Sequence, residues 1–336
     1  MTQRLLIIGF SNVVTTSGFA QPTIARLAET VPGLEVFRVG LGALQPQVIP
    51  PYLRLASERL GPFSHVLLEI ATSAYATHPL ANVAAGQEIL ADILLTLQEI
   101  GAEPAFLLHV RRWTRPVVLD FGGLIRQLCH ELDLPLLDLA EGWIAQHGAT
   151  QVAAWLRDDT HTTAEGGSVM AERLVPFLQE VLARPPVLAG LRPAPPLWRR
   201  RALDLAQMLP DCPSETHDCL DLPQDYVRLE GRGVTIDPGR VLRVQGLVHL
   251  YHAAGGHVSV TPDPPGPGLR VTMIDPLSHF TRIGVLPFDF FRGCDMRRLL
   301  VGEPEEAPEI GLVRGQQERP LRAYLGPLLT LDPTAS

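Results

Sequence analysis

The spacing of apolar residues divides this chain at about residue 185. Before that point, short uninterrupted apolar runs alternate with segments that are apolar at every third or fourth position. Leu5-Leu-Ile-Ile8 reads as a strand buried on both faces, ended by Gly9. A helical pattern runs from about Pro22 to Val31 and stops at Pro32-Gly33. Leu34–Val39 is the second strand and leads into Gly40-Leu41-Gly42. Pro50 and Pro51 open the next helix, with Tyr52, Leu53, Leu55, Ala56 and Leu60 at helical spacing. Ser64–Ile70 is the third strand and Leu80–Ile100 an amphipathic helix. Pro104–His109 and Pro135–Leu139 are further strands, with a helix over about Val117–Leu132 between them. A last helix spans about Ala164–Leu182, with Thr162 or Thr163 as its N-cap and Glu165 in its first turn. This alternation predicts an α/β fold, a parallel sheet flanked by helices in three layers.

Ala183–Pro196 holds five prolines in fourteen positions, the composition of an extended, semi-rigid linker. A short helix over about Trp198–Met208 is expected next. From Tyr226 the pattern shortens to β-type runs set off by Gly and Pro: Tyr226–Leu229, Val241–Tyr251, His257–Thr261, Leu269–Ile274, Ile283–Pro287, Arg298–Val301, Ile310–Val313 and Leu321–Leu325. Strands this close together predict a small all-β sandwich or jelly roll. The expected division is therefore an α/β domain over 1–184, a linker with a short helix over 185–210, and a β-sandwich accessory domain over 211–336.

Composition narrows the choice of partners. A length of 336 residues with 46% hydrophobic and 19% charged residues suits two globular domains. A formal net charge of −8, with no basic stripe interleaved with aromatics, argues against nucleic acid. All 28 basic residues are Arg, so a Schiff-base lysine mechanism is excluded. No apolar run approaches the ~20 residues of a membrane span. Four cysteines in a chain of this length make no disulfide framework. With Met1-Thr-Gln-Arg4 running straight into the first strand, a cytoplasmic location is expected. No feature specifies an oligomeric state.

Two short stretches carry candidate chemistry. Ser11 follows the first strand, on the turn leaving the sheet's carboxyl edge, where ligands of open α/β sheets bind. It reads either as turn filler or a helix cap, or as a nucleophile if a base converges on it. Asp158-Asp159-Thr160-His161 puts a carboxylate and an imidazole three residues apart in the loop before the last helix. That spacing fits an Asx-turn beside a solvated His. It also fits a carboxylate holding Nδ1–H so that Nε2 faces a nucleophile.

In this ordered set the chain resembles the SGNH (GDSL-like) hydrolase family over residues 4 to about 182. The residues that carry the resemblance are Gly9-Phe10-Ser11 after the first strand, Gly40 after the second, Ala71-Thr72-Ser73-Ala74 after the third, and Asp158 and His161 before the last helix. The resemblance implies a flavodoxin-like three-layer fold and a serine esterase or deacetylase. Its triad would be Ser11, His161 and Asp158, with Ser11, Gly40 and Ser73 at the oxyanion hole and no cofactor or metal. Two positions depart from the family. Phe10 stands where the family has an acidic residue that supports the nucleophile loop. Ser73 stands where it has the Asn of the oxyanion hole, and a hydroxyl reaches less far than a carboxamide. Losing one such donor can cost ~2.7–4 kcal/mol of transition-state stabilisation.

The expected substrate is an acylated small molecule or glycan. This follows from analogy with hydrolases that carry a small β-sandwich, and acetyl is the favoured acyl group. An O-acyltransferase with the same triad, and a non-catalytic binding module on a decayed hydrolase fold, are the alternatives. Other candidates give bland readings. Cys212 and Cys219 with His217 lack the short Cys spacing of zinc sites. Strand alternation scatters His249, His252 and His257, and Trp113, Trp155 and Trp198 read as core residues before they read as a sugar platform. Glu69, inside the third strand, needs a partner if buried.

Overall fold

The computed structural model describes residues 3–334 except 43, 73–82, 112–120, 265–267, 279–280 and 290–291. It divides into two units: Met1–Leu197 with Leu220–Leu222, and Trp198–Cys219 with Pro223–Ser336.

The first unit is built on five parallel strands: β1 (Arg4–Gly9), β2 (Glu35–Gly40), β3 (His65–Glu69), β4 (Glu103–Leu108) and β5 (Leu136–Asp138). Their order is β2-β1-β3-β4-β5. Between them run helices α1 (Ser11–Val14), α2 (Ala20–Thr30), α3 (Ile49–Leu60), α4 (Val83–Ile100) and α5 (Phe121–Leu132). After β5 come α6 (Leu139–His147), α7 (Ala149–Ala154) and α8 (Ala164–Ala183). Strand alternation sends Leu5, Ile7, Leu67, Ala105 and Leu107 to one face. There they pack with Phe19, Leu27, Trp143, Trp155, Met170, Leu174 and Leu178. Leu6, Ile8, Val66 and Leu68 point the other way and are equally buried. Burial on both faces is why these strands read as continuous apolar runs.

The second unit holds two antiparallel sheets with a shared apolar core that includes Val227, Leu229, Leu247, Val258, Val260 and Leu325. One sheet contains β6 (Trp198–Leu203), β7 (Ser214–Cys219), β8 (Leu222–Leu229), β10 (Leu242–Tyr251), β13 (Arg282–Pro287), β14 (Cys294–Met296) and β16 (Ala323–Pro333). The other contains β9 (Val234–Ile236), β11 (His257–Asp263), β12 (Leu269–Thr272) and β15 (Arg298–Val301). This is the all-β sandwich that the strand spacing predicts.

Three local expectations are corrected. Trp198–Leu203 is a strand where a helix is expected, because it pairs antiparallel with β16 from Leu203↔Leu328 to Trp198↔Pro333. Only the single turn α9 (Leu205–Met208) is helical, capped by Asp204 accepting from the Ala206 N–H. Ile310–Val313 forms no strand; the Val313 N–H instead donates to the Pro276 carbonyl. Finally, α6 and α7 fill a stretch for which the apolar pattern suggested no helix.

Candidate active site

Ser11 is placed by the end of β1. Gly9 lies against β3 so closely that a Cβ there would sit 2.5 Å from the Glu69 carbonyl oxygen and 2.7 Å from Val13 Cγ2. Only glycine allows this turn. Phe10 is fully buried, and its carbonyl accepts from the Val13 and Val14 N–H groups, which starts α1. Ser11 thus opens a helix, and its own N–H has no intrahelical acceptor.

The loop carrying Asp158 and His161 closes on itself. Leu156 bridges Thr162, the Arg157 N–H donates to the His161 carbonyl at 2.9 Å, and the Thr163 N–H donates to the Trp155 carbonyl at 2.8 Å. Thr163 Oγ1 then accepts from the Gly166 N–H and caps α8. At the tip, Asp158 Oδ1 accepts from the N–H groups of Thr160 (3.0 Å) and His161 (2.8 Å). The same carboxylate takes the His161 Nδ1–H, at 2.8 Å to Oδ2 and 3.0 Å to Oδ1. The Asx-turn and the His-orienting carboxylate are therefore one arrangement.

Two tethers bring the loops together. Asn12 Nδ2 donates to the Thr160 carbonyl at 3.1 Å. Ser17 and Thr162 exchange hydroxyl-to-carbonyl bonds at 2.9 and 2.7 Å. Gly167 permits the approach, since a Cβ there would lie 2.4 Å from the Ser17 carbonyl oxygen. The outcome is a contact of 2.8 Å between His161 Nε2 and Ser11 Oγ. A carboxylate only accepts, so Nδ1 carries the proton and Nε2 presents its lone pair to the Ser11 hydroxyl.

Burial alone would raise the Asp158 carboxyl. The hydrogen bonds from the Thr160 and His161 backbone and from the His161 ring outweigh it and bring the carboxyl down to about 2. Asp158 is therefore ionised at any neutral pH, with its side chain still 48% exposed. Gly40 ends β2 beside Gly9, where a Cβ would lie 2.6 Å from Val14 Cγ2. Ser73 lies outside the described residues, and so does Trp113.

No family model and no curated protein matches this sequence. Solved structures do. A two-domain esterase (CEX) active on acetylated mannans, crystallised with mannopentaose, superposes with a TM-score of 0.67 at 11% identity. The match covers 99% of this chain and 92% of that one. An acetyl xylan esterase, AlAXEase, matches 51% of this chain and 97% of its own at 16% identity, with a TM-score of 0.43. A protein of the G-D-S-L lipolytic family from Desulfitobacterium hafniense matches 52% and 99% at 17% identity, with a TM-score of 0.42. The first unit has an SGNH-hydrolase-like fold.

Within this SGNH-like unit, two buried polar residues at the carboxyl edge of the sheet add to the set. His109, just past β4, is 1% exposed. Its Nδ1–H donates to the Val110 carbonyl at 2.6 Å, and Nε2 has no hydrogen-bond partner among the described residues. Burial lowers its imidazole to about 4, and the nearby His161 and Arg111 add to that, so it stays neutral. The sequence signal was a histidine closing an otherwise apolar strand. Glu69 is wholly buried, and its partner is Thr72, whose hydroxyl donates to Oε1.

The remaining candidates do not converge. Among the described residues no three His, Cys, Asp or Glu side chains are arranged to hold a metal ion. Cys219 is buried with its thiol pushed up to about 12 by burial, while the His217 ring packs edge-on against Tyr226 and Tyr324. His249 is buried beside Tyr251. The His252 ring packs on Tyr324, and His257 is bound by Thr272 and Glu309. Trp155 packs edge-on against Trp143 in the core at 5.0 Å. Trp198 lies on β6 under the Arg243 guanidinium, 4.6 Å from the ring centroid. No described helix is long and apolar enough to cross a membrane.

Proposed function

We propose that this protein is a serine ester hydrolase that removes acyl groups, acetyl foremost, from a carbohydrate or glycoconjugate. The observation that carries the reading is the unbroken hydrogen-bonded series from Ser11 Oγ through the His161 ring to Asp158. In this reading Ser11 Oγ attacks the ester carbonyl carbon as His161 Nε2 takes its proton. Asp158 holds the ring and balances the imidazolium that forms. The oxyanion faces the N–H groups of Ser11 and Gly40, with the Ser73 hydroxyl as a third donor. Collapse breaks the bond to the alcohol, which leaves with the proton from His161. Water, deprotonated by the same imidazole, then frees the acid and restores Ser11 Oγ–H. No step calls for a metal or cofactor.

The carbohydrate assignment is supported by the mannan esterase, whose likeness extends across both units of this chain. The test is release of acetate from acetylated mannan and xylan oligosaccharides by the wild type and by Ser11→Ala. Serine-dependent release is the expected result. Transfer of acetyl to an added acceptor sugar in preference to water would turn the assignment to an acyltransferase. No acetate release by folded wild type from any acetylated glycan or aryl acetate would contradict it.

A further inference from the structure

β2 is an edge strand of the parallel sheet, and it ends at Gly40, to which the reading above gives an oxyanion donor. Its inner side is held by β1, down to the Leu41 N–H donating to the Gly9 carbonyl at 2.8 Å. The outer side of an edge strand is left open unless another segment pairs with it. In the first unit that segment is Leu220–Leu222, which comes from the turn between β7 and β8. Leu220 makes an antiparallel bridge to Val39. Asp221 closes a ring on Arg38: its N–H donates to the Arg38 carbonyl at 3.0 Å, and its Oδ2 accepts from the Arg38 N–H at 2.6 Å. Both backbone polar groups of Arg38 are thereby satisfied.

The Leu220 side chain reaches Gly40 itself. A Cβ on Gly40 would lie 2.7 Å from Leu220 Cδ1 and 2.6 Å from Val14 Cγ2. The two side chains therefore close over the same bare Cα, and Val14 belongs to α1, the helix that Ser11 opens. Leu220 also packs against the apolar core of this unit. Its backbone has a φ of 64°, a left-handed conformation that residues other than glycine rarely adopt. Such a conformation persists only where the surroundings impose it, and it is what turns Leu220 toward Gly40 while Asp221 meets Arg38.

We propose that Leu220 and Asp221 are positioning residues of the hydrolase site: Asp221 pins the free edge of β2 at Arg38, and Leu220 packs over Gly40 beside Val14, which fixes the oxyanion donor relative to Ser11. This rests on the ester-hydrolase reading of Ser11 and Gly40. The nucleophile, base and acid all lie before the last helix of the α/β unit, whereas the brace on the oxyanion strand lies after it. The site is therefore incomplete without the turn at 220–222. A donor that is held in place stabilises the transition state without reordering, so loosening it lowers kcat more than it changes KM.

The test compares wild type with Leu220→Ala, Asp221→Ala, Asp221→Asn and Asp225→Ala in the full chain. Asp225 lies on β8 and accepts from the Thr216 hydroxyl, so its variant controls for damage to the hairpin itself. The readouts are kcat and KM on an aryl acetate and amide hydrogen exchange of peptides covering residues 36–42. Leu220→Ala and Asp221→Ala are expected to lower kcat roughly tenfold with KM little changed, and to quicken exchange around Gly40. Asp221→Asn keeps an acceptor for the Arg38 N–H, and it should stay within about threefold of wild type, as should Asp225→Ala. Where Asp221→Ala does not fold, Leu220→Ala carries the test. A wild-type kcat in both alanine variants at 220 and 221 would overturn the proposal while leaving the hydrolase reading intact. An equal fall in Asp225→Ala would overturn it too, since the effect would then belong to the hairpin. A wild type that never turns over ester would overturn the hydrolase reading, and faster exchange in the variants would then mark only a structural brace.

Discussion

His161 Nε2 and Ser11 Oγ lie 2.8 Å apart although 150 positions separate them in the chain. The contact is not made by those two side chains alone. The backbone around each is fixed first, by the Gly9 turn on one side and by the closed loop between Trp155 and Thr163 on the other. Asn12, Ser17 and Thr162 then bind the two loops to each other.

Asp158 orients this histidine from a loop tip, so its removal acts on tautomer and ring position more than on the fold. Asp158→Asn is expected to lower kcat on an aryl acetate on the order of a thousandfold or more, by analogy with other serine triads. Because the carboxylate is half-exposed, the melting temperature should fall little. Steady-state kinetics with a thermal scan checks both. A kcat within tenfold of wild type would show that Asp158 does not serve the imidazole.

The pH dependence of stability carries the mark of Glu69. Burial raises its carboxyl from the ordinary 4.5 to about 7 in the folded protein. A group raised in this way supports the fold fully below its unfolded pKa, and that support is lost as pH rises through the folded value. At roughly 1.4 kcal/mol per unit, the loss between pH 4.5 and 7.5 is on the order of 3 kcal/mol. Wild type should therefore lose stability relative to Glu69→Gln across this window. Urea unfolding at a series of pH values measures the difference, and parallel curves for the two proteins would refute it.

The first sheet was legible because its strands are buried on both faces, so Leu5–Ile8 and Val66–Leu68 stand out as unbroken apolar runs. The candidate site was legible as an ordered set of short motifs at strand ends. What escaped notice has physical causes. Trp198-Arg-Arg-Arg-Ala-Leu203 has no alternation of its own and becomes a strand only by pairing with β16. Gly142 lies inside the helix Leu139–His147 and Gly148 separates it from Ala149–Ala154, and these glycines in two short helices hid the apolar periodicity. The tethers at Asn12, Ser17 and Thr162 use polar residues that any loop could hold, and tertiary contact alone gives them meaning.

The position of β6 changes where the second domain begins. A chain starting at residue 211 lacks the strand that pairs with Leu328–Pro333, which leaves that length of β16 as an open apolar edge. One starting at 197 keeps it. The longer piece is expected to be monodisperse, with a cooperative thermal transition. The shorter one should aggregate or melt at least 5–10 °C lower, since about 1 kcal/mol shifts such a domain by several degrees. Size-exclusion chromatography with a thermal scan decides. Equal behaviour of the two would place the boundary after β6.

The central claim is that Ser11 is an activated nucleophile. It is tested most directly by treating the folded full-length protein with a fluorophosphonate and mapping the adduct by peptide mass spectrometry. The expected result is a single adduct on Ser11, absent in Ser11→Ala and formed at least a hundredfold more slowly in His161→Ala. Failure of the folded wild type to label, or an adduct on any residue other than Ser11, would contradict the account.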